Sequence, residues 1–226
     1  MLNNINDIEF VKRNLPFWEQ ISKEEQKLIL DNAVNLNYQK GYVVYSNHDD
    51  CKGLAIIKSG NLRTYMLSDV GKEITMYRLF ENDSCIMTAA CLLKNITFDV
   101  IIEVERDCEI ILIPVQIYKN LNMSNILIQD FTNQLVSSRF SDVMWVMEQI
   151  VFMSFDKRLA IFLLEQSAIE NSDILTITHD TIAKNLGSAR EVVTRMLKYF
   201  QNSGLVSVSR GNIEIKDRKK LMEFAK

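Results

Sequence analysis

The sequence predicts an α+β chain built in three parts. Three observations carry this. Between Leu36 and Pro114, short β-prone runs alternate with turn residues. Between Ile126 and Phe152 there is neither glycine nor proline, and apolar residues recur at helical spacing. Beyond Met153, short helical segments end in an alternating apolar and polar stretch around Arg210-Gly211-Asn212.

The stretch from Ile5 to Asn35 reads as amphipathic helix, with Phe10, Leu15, Phe17, Trp18, Ile21, Leu28 and Ile29 as its apolar stripe. Ser22 followed by Glu25 is a capping-box pattern that marks a helix start. The runs YVVYS, GLAIIKSG, LRTYML, EITMYRLF, TFDVIIEVE and EIILIP then read as strands, with Asp69-Val70-Gly71-Lys72 as a hairpin connection. Several short strands in succession predict a sandwich or barrel-like roll. On the long helix, Val136, Phe140, Val143, Met147 and Ile150 fall in a heptad-like seam. Spacing alone leaves two readings open: a helix packed on its own domain, or one strand of a parallel dimer. The expected boundaries are 1–125 for the strand-rich part with its N-terminal helices, 126–152 for the long helix and 153–226 for the C-terminal part.

The chain has 226 residues, 47% of them apolar, and a net charge of -3, so it is no generic polyanion binder. Charge is uneven along it. From Val151 to Lys226 there are 12 basic against 9 acidic residues, and before Val151 there are 14 against 20. A nucleic-acid contact is therefore expected in the C-terminal third. The opening MLNNINDIEFVKR has no apolar signal-peptide core, and no run approaches the roughly 18 to 20 apolar residues of a membrane helix. The expectation is a cytoplasmic protein without a membrane partner. The four cysteines (Cys51, Cys85, Cys91, Cys108) include no CxxC pair, which argues against a zinc site.

The segment Ile177–Phe200 is the most informative. Thr178 can cap a short helix whose inner face is Ile182, Ala183 and Leu186, and Gly187 can end it in a left-handed conformation. Ser188, with Glu191 three residues on, reads as the cap of a second helix. Two capped helices joined by a glycine turn make a helix-turn-helix, and the following hairpin makes it winged. On the second helix, Val193, Met196, Leu197 and Phe200 share a core-facing side, while Arg190, Glu191, Thr194, Arg195 and Lys198 lie mostly on an outer face. Arginine can donate two hydrogen bonds to guanine, and glutamate can accept one from cytosine. Such a face could be no more than a solvated charged surface, but its setting between caps, glycine turn and wing favours double-stranded DNA. Thr178, His179, Ser188, Thr194 and Lys198 are candidate backbone contacts, which set register rather than sequence.

With these residues in place, the sequence resembles the Crp/Fnr family over nearly its whole length. The C-terminal resemblance rests on Thr178, Gly187, Ser188-Ala189-Arg190-Glu191, Arg195 and Gly204-Leu205-Val206. The N-terminal one rests on Gly41, the run Ile56–Leu62, Gly71-Lys72-Glu73 and Ile113-Pro114. The resemblance implies an N-terminal cyclic-nucleotide-binding-like β-roll, a long dimerisation helix and a C-terminal winged helix-turn-helix. It implies a homodimer reading a palindrome with half-sites similar to TGTGA through Arg190, Glu191 and Arg195, and RNA polymerase as a partner.

The departures bear on the effector. Cyclic-AMP binders of the family grip the phosphate with an arginine, yet no Arg stands between Arg78 and Arg106. A buried phosphate without a guanidinium is poorly compensated, so cyclic AMP is not expected. No cysteine precedes Cys51, which argues against the family's N-terminal iron–sulfur cluster, and His48 and His179 are poor haem ligands. The expected effector region lies between the roll and the long helix, with Met87, Thr88, Phe98, Thr132 and Arg139 as candidate lining. Cys85 and Cys91 fall in the same region, as a redox pair or as two buried thiols that pack as small apolar groups. No catalytic constellation, P-loop or GxGxxG stands in the chain, so an enzyme is not expected. A regulator that is active as made, with no small molecule, stays open beside the effector-controlled one.

Overall fold

A computed structural model describes residues 2, 4–46, 52–86 and 100–226. The chain divides into two compact units. The first comprises Met1–Met66 and Met76–Val143, the second Leu67–Thr75 and Met144–Lys226.

In the first unit the N-terminal helical stretch is broken in two, α1 (Ile5–Asn14) and α2 (Lys23–Asn32), with a single 3₁₀ turn at Trp18–Gln20 between them. The breaker is Pro16, which disfavours helix at the residue before it; Leu15 is extended at φ -107°, ψ 100°. Ser22 and Glu25 do form a reciprocal capping box at the start of α2. Strands β1 (Val34–Tyr38), β2 (Val43–Tyr45), β3 (Gly53–Leu67), β4 (Glu73–Leu79), β5 (Ser84–Ile86) and β6 (Ile101–Pro114) follow. They pair in the order β1-β6-β3-β4, with β2 on β6 and β5 on β3.

GLAIIKSG and LRTYML are therefore one strand rather than two. Its register slips around Ser59–Leu62, at Gly60. Gly60 has φ +79°, and a side chain there would strike the Asp107 carbonyl oxygen at 2.1 Å. Only glycine suits that bulge.

Strand β3 is apolar without alternation because both its faces are covered. Leu54 and Ile56 join Ile111 and Ile113 of β6 in a core with Phe10, Trp18 and Ile29. Ala55, Ile57 and Leu62 join Val104 and Ile110 in a second core inside the roll. Each fully buried isoleucine stabilises the fold by about 1.5–3 kcal/mol. The helix α3 (Val115–Ser124), which the sequence pattern does not announce, follows directly on β6 with Pro114 as its N-cap. The long helix α4 runs Ile126–Phe152, the bounds expected from the sequence.

The second unit holds α5 (Phe155–Glu170), β7 (Ile174–Leu175), α6 (His179–Leu186), α7 (Arg190–Asn202), β8 (Val206–Ser209), β9 (Asn212–Ile215) and α8 (Arg218–Phe224). The strands form a sheet in the order β7-β9-β8. One core unites Leu159 and Leu163 of α5, Ile182 and Leu186 of α6, Val193, Leu197 and Phe200 of α7, and Val206 and Ile213 of the sheet. The predicted hairpin pairs Val206 with Ile215 and Ser209 with Asn212.

Candidate nucleic-acid interface

The interface is built on α6, the turn at Gly187 and α7. The Thr178 hydroxyl accepts from the Thr181 backbone N–H at 3.1 Å and starts α6 as its sequence predicts. Gly187 ends α6 at φ 62°, ψ 38°, donating its N–H to the Ala183 carbonyl. The Ser188 N–H donates to that same carbonyl at 2.9 Å. Ser188 thus belongs to the end of α6 and is not the cap of α7. That position falls to Ala189, which has no side chain able to accept, so the first amides of α7 carry no side-chain cap.

Polar contacts brace the turn from behind. The Arg158 guanidinium donates to the Leu186 carbonyl. Asn185, buried, donates to the Thr181 carbonyl at 2.8 Å and accepts from the Thr75 hydroxyl at 2.6 Å. Within the same unit, Lys184 pairs with Glu73 at 2.9 Å. Apart from Glu73, which stands in the Gly71-Lys72-Glu73 motif, these residues carry no signal in the sequence, since each acts through a tertiary contact rather than a local pattern.

The faces of α7 separate as its spacing predicts. Val193, Leu197 and Phe200 are buried, while Arg190, Glu191, Thr194, Arg195 and Lys198 are exposed. Two side chains from the first turn of α6 reach onto that outer face. His179 Nδ1 lies 2.9 Å from the Thr194 hydroxyl, which donates its own proton to the Arg190 carbonyl at 2.9 Å. With that proton spent, Nδ1 must carry the hydrogen of the His179–Thr194 bond. Asp180 Oδ2 lies 3.5 Å from Arg190 Nη1. Asp180 had no signal in the sequence: its role depends on the corner angle between two helices.

The candidate effector residues are less united. Met87, Thr88, Phe98 and Cys91 lie outside the described residues, as do His48 and Cys51. Thr132 is buried, and its hydroxyl is engaged by Tyr118 at 2.7 Å, Asn122 at 2.7 Å and the Ile128 carbonyl at 2.9 Å, so it serves the packing of α3 on α4. Arg139 sits at a more suggestive place. It donates to Asp142 at 2.9 Å, lies 5.1 Å from the centre of the Tyr77 ring, and its buried Nε has no hydrogen-bond partner among the described residues. Burial pushes the Tyr77 phenol far above its ordinary value, with the nearby Cys85 adding to the rise. Burial likewise pushes the Cys85 thiol up to about 12, against the opposing pull of the Arg139 charge. Cys85 is thus a packed thiol with little thiolate character. Among the described residues no three His, Cys, Asp or Glu side chains gather as a metal site.

On α4 the predicted seam is open in this single chain. Phe140 is 64% exposed, Met147 54% and Ile150 48%, with Val136 and Val143 partly exposed beside them. Met144 and Val151 widen the apolar strip. No helix among the described residues is long and apolar enough to cross a membrane.

Residues 157–224 match the Crp-like helix-turn-helix domain. A crystal structure described as a candidate transcriptional regulator of the Crp/Fnr family from Eubacterium rectale is 48% identical. Its TM-score is 0.90, and the match covers 94% of this chain and 99% of that one. The regulatory protein HlyX of Actinobacillus pleuropneumoniae is 28% identical over 82% of this chain and 80% of its own. The fumarate and nitrate reduction regulatory protein of Vibrio cholerae is 28% identical over 83% of this chain and 76% of its own.

Proposed function

The chain belongs to the Crp/Fnr family of transcription regulators, and from that premise we propose that it reads a palindromic DNA site as a homodimer under the control of an effector other than cyclic AMP. The observation that carries the reading is α7 itself. One side is locked into the core by Val193, Leu197 and Phe200, and the other presents Arg190, Glu191 and Arg195 to solvent. Arg190 and Arg195 donate to guanine edges and Glu191 accepts from cytosine. The uncapped α7 amides, Thr178 and Lys198 meet phosphates, which fix register, while His179 and Thr194, hydrogen-bonded to each other and to the Arg190 carbonyl, hold that surface in place rather than donating to DNA. Ser188, half-buried and with its N–H spent on α6, shares the phosphate-contacting role only through its hydroxyl.

Homodimerisation rests on the open strip of α4. An apolar strip on a helix, with Phe140, Met147 and Ile150 about half exposed or more, is costly in water and is relieved by a second copy of the same helix. In such a dimer the two recognition helices meet successive major grooves about 34 Å apart. RNA polymerase is the expected protein partner of the bound dimer. The effector in this reading is a small molecule rather than an oxidant, held against Arg139 and Tyr77, where a buried Nε has no hydrogen-bond partner among the described residues. An arginine-free stretch from residue 79 to residue 105 is the ground for excluding cyclic AMP. Micromolar binding of cyclic AMP in a calorimetric titration would overturn that exclusion.

Fluorescence anisotropy tests the central reading. Full-length reduced protein is titrated at fixed salt on a TGTGA-N6-TCACA duplex and on a scrambled duplex, without additives. Selective binding that disappears in Arg190→Ala/Glu191→Ala supports base reading and shows that no effector is needed. If selection from random duplexes, with and without cell extract metabolites, recovers no preferred sequence, the reading fails.

A further inference from the structure

We propose that Asp180 is a specificity-determining residue that acts through Arg190, an inference that rests on the base-reading role given to Arg190 above. The geometry begins at the corner between α6 and α7. Asp180 stands in the first turn of α6, and its Oδ2 lies 3.5 Å from Nη1 of Arg190, the first residue of α7. A cation in the first turn of a helix faces the positive end of the helix dipole. Ala189 supplies no side-chain acceptor to offset that field. Asp180 does so from the neighbouring helix, where its own first-turn position suits a carboxylate.

The contact uses one terminal nitrogen of the guanidinium and leaves the remaining donors for a guanine edge. It therefore restricts the rotamers of a long side chain before DNA arrives, which lowers the ordering cost of reading a base. The carboxylate has a second effect. Exposed beside Arg190, it repels any phosphate nearby, whatever the sequence. Both effects favour the correct site over other DNA: the first strengthens a base contact, the second weakens the background. The parallel tie from His179 to Thr194, and from Thr194 to the Arg190 carbonyl, anchors the backbone under the same side chain. The outer face of α7 is thus preset from the first turn of α6 by two residues.

The test is a double-mutant cycle in full-length protein, read by anisotropy on the duplex that selection recovers for the wild type, on single-base variants of it and on scrambled DNA. Asp180→Asn is expected to raise affinity for scrambled DNA roughly two- to fivefold, the scale of one exposed charge. It should lower discrimination at the base pair facing Arg190 by about the same factor. In an Arg190→Ala background the loss of discrimination should vanish while the gain on scrambled DNA persists. Equal loss in both backgrounds would reduce Asp180 to a bulk charge and overturn the proposal, as would unchanged discrimination in Asp180→Asn. Asp180→Ser, which also favours a helix first turn, repeats the cycle if circular dichroism shows that the asparagine variant is misfolded. A wild type without sequence preference would instead sink the base-reading assignment itself.

Discussion

Lys58 on β3 reaches Asp7 on α1 at 2.7 Å and Glu109 on β6 at 2.6 Å, so that one ammonium fastens the N-terminal helix to two strands of the roll. Asn35 of β1 completes the knot, donating to Asp7 at 3.0 Å and to Glu109 at 2.7 Å. Burial pushes Asp7 upward, but the hydrogen bonds from Lys58 and Asn35 outweigh it and hold the carboxyl below its ordinary value. The same two donors lower Glu109, Lys58 first, and the carboxylates in return raise Lys58. For the two acids, the stabilisation is present above the ordinary carboxylate range of about 3.9 to 4.3 and is lost as pH falls through the lowered values. For Lys58 it is present below about 10.4 and is lost as pH rises through the raised value. Lys58→Met should cost about 1–3 kcal/mol at neutral pH, because it leaves Asp7 buried without its cation. It should also flatten the acid limb of stability against pH. Urea midpoints from pH 3 to 7 decide the matter, and parallel limbs for wild type and variant would refute it.

Gly187 is the second position where one atom decides much. At φ +62°, an added β-carbon meets left-handed strain of about 1–2 kcal/mol. It would also lie 3.1 Å from Ile74 Cδ1 and 3.3 Å from Ile74 Cβ, so that Ile74 must shift by a few tenths of an ångström. Gly187→Ala should therefore lower stability by about 1–2 kcal/mol and weaken DNA binding by re-aiming α7. Gly187→Asn should recover part of the loss, since asparagine tolerates this conformation. An alanine variant as stable as the wild type in denaturant titration would show that the turn is not the constraint argued here.

Much of this organisation was legible because it is local. Thr178 and Gly187 announce α6, Ser22 and Glu25 announce α2, and apolar residues at helical spacing mark α4. The outer face of α7 follows from spacing alone. What stayed hidden is tertiary. Ser188 looked like a cap, yet its N–H closes α6, a choice fixed by how tightly the turn winds. Pro16 could have been read as a breaker, whereas the merging of two runs into β3 depends on pairing with β6 around Gly60. Asp180 facing Arg190 needs the corner itself.

Cys85 offers a chemical check on the sensing region. With its thiol pushed up to about 12 by burial, Cys85 carries little thiolate at neutral pH. Iodoacetamide at pH 7.5 should label Cys85 far more slowly in the native protein than in urea, as peptide mass spectrometry would read directly. Rapid native labelling would restore a redox reading built on Cys85 and Cys91 over the small-molecule one.

The α4 strip gives the most direct structural test. Phe140 and Met147 are 64% and 54% exposed, and lie seven residues apart, two turns along one helix face. Because neither is buried in its own chain, replacing both with glutamate removes little from the monomer's cores. Between two parallel helices, however, like charges would face each other across an apolar seam, and buried unpaired charges cost several kcal/mol each. Phe140→Glu/Met147→Glu should sediment as a monomer with an unchanged far-ultraviolet spectrum, and should bind a half-site far better, relative to the full palindrome, than the wild type does. A variant that still sediments as a dimer would move the interface off this strip. A wild type that sediments as a monomer at micromolar concentration would remove the homodimer from the proposal altogether.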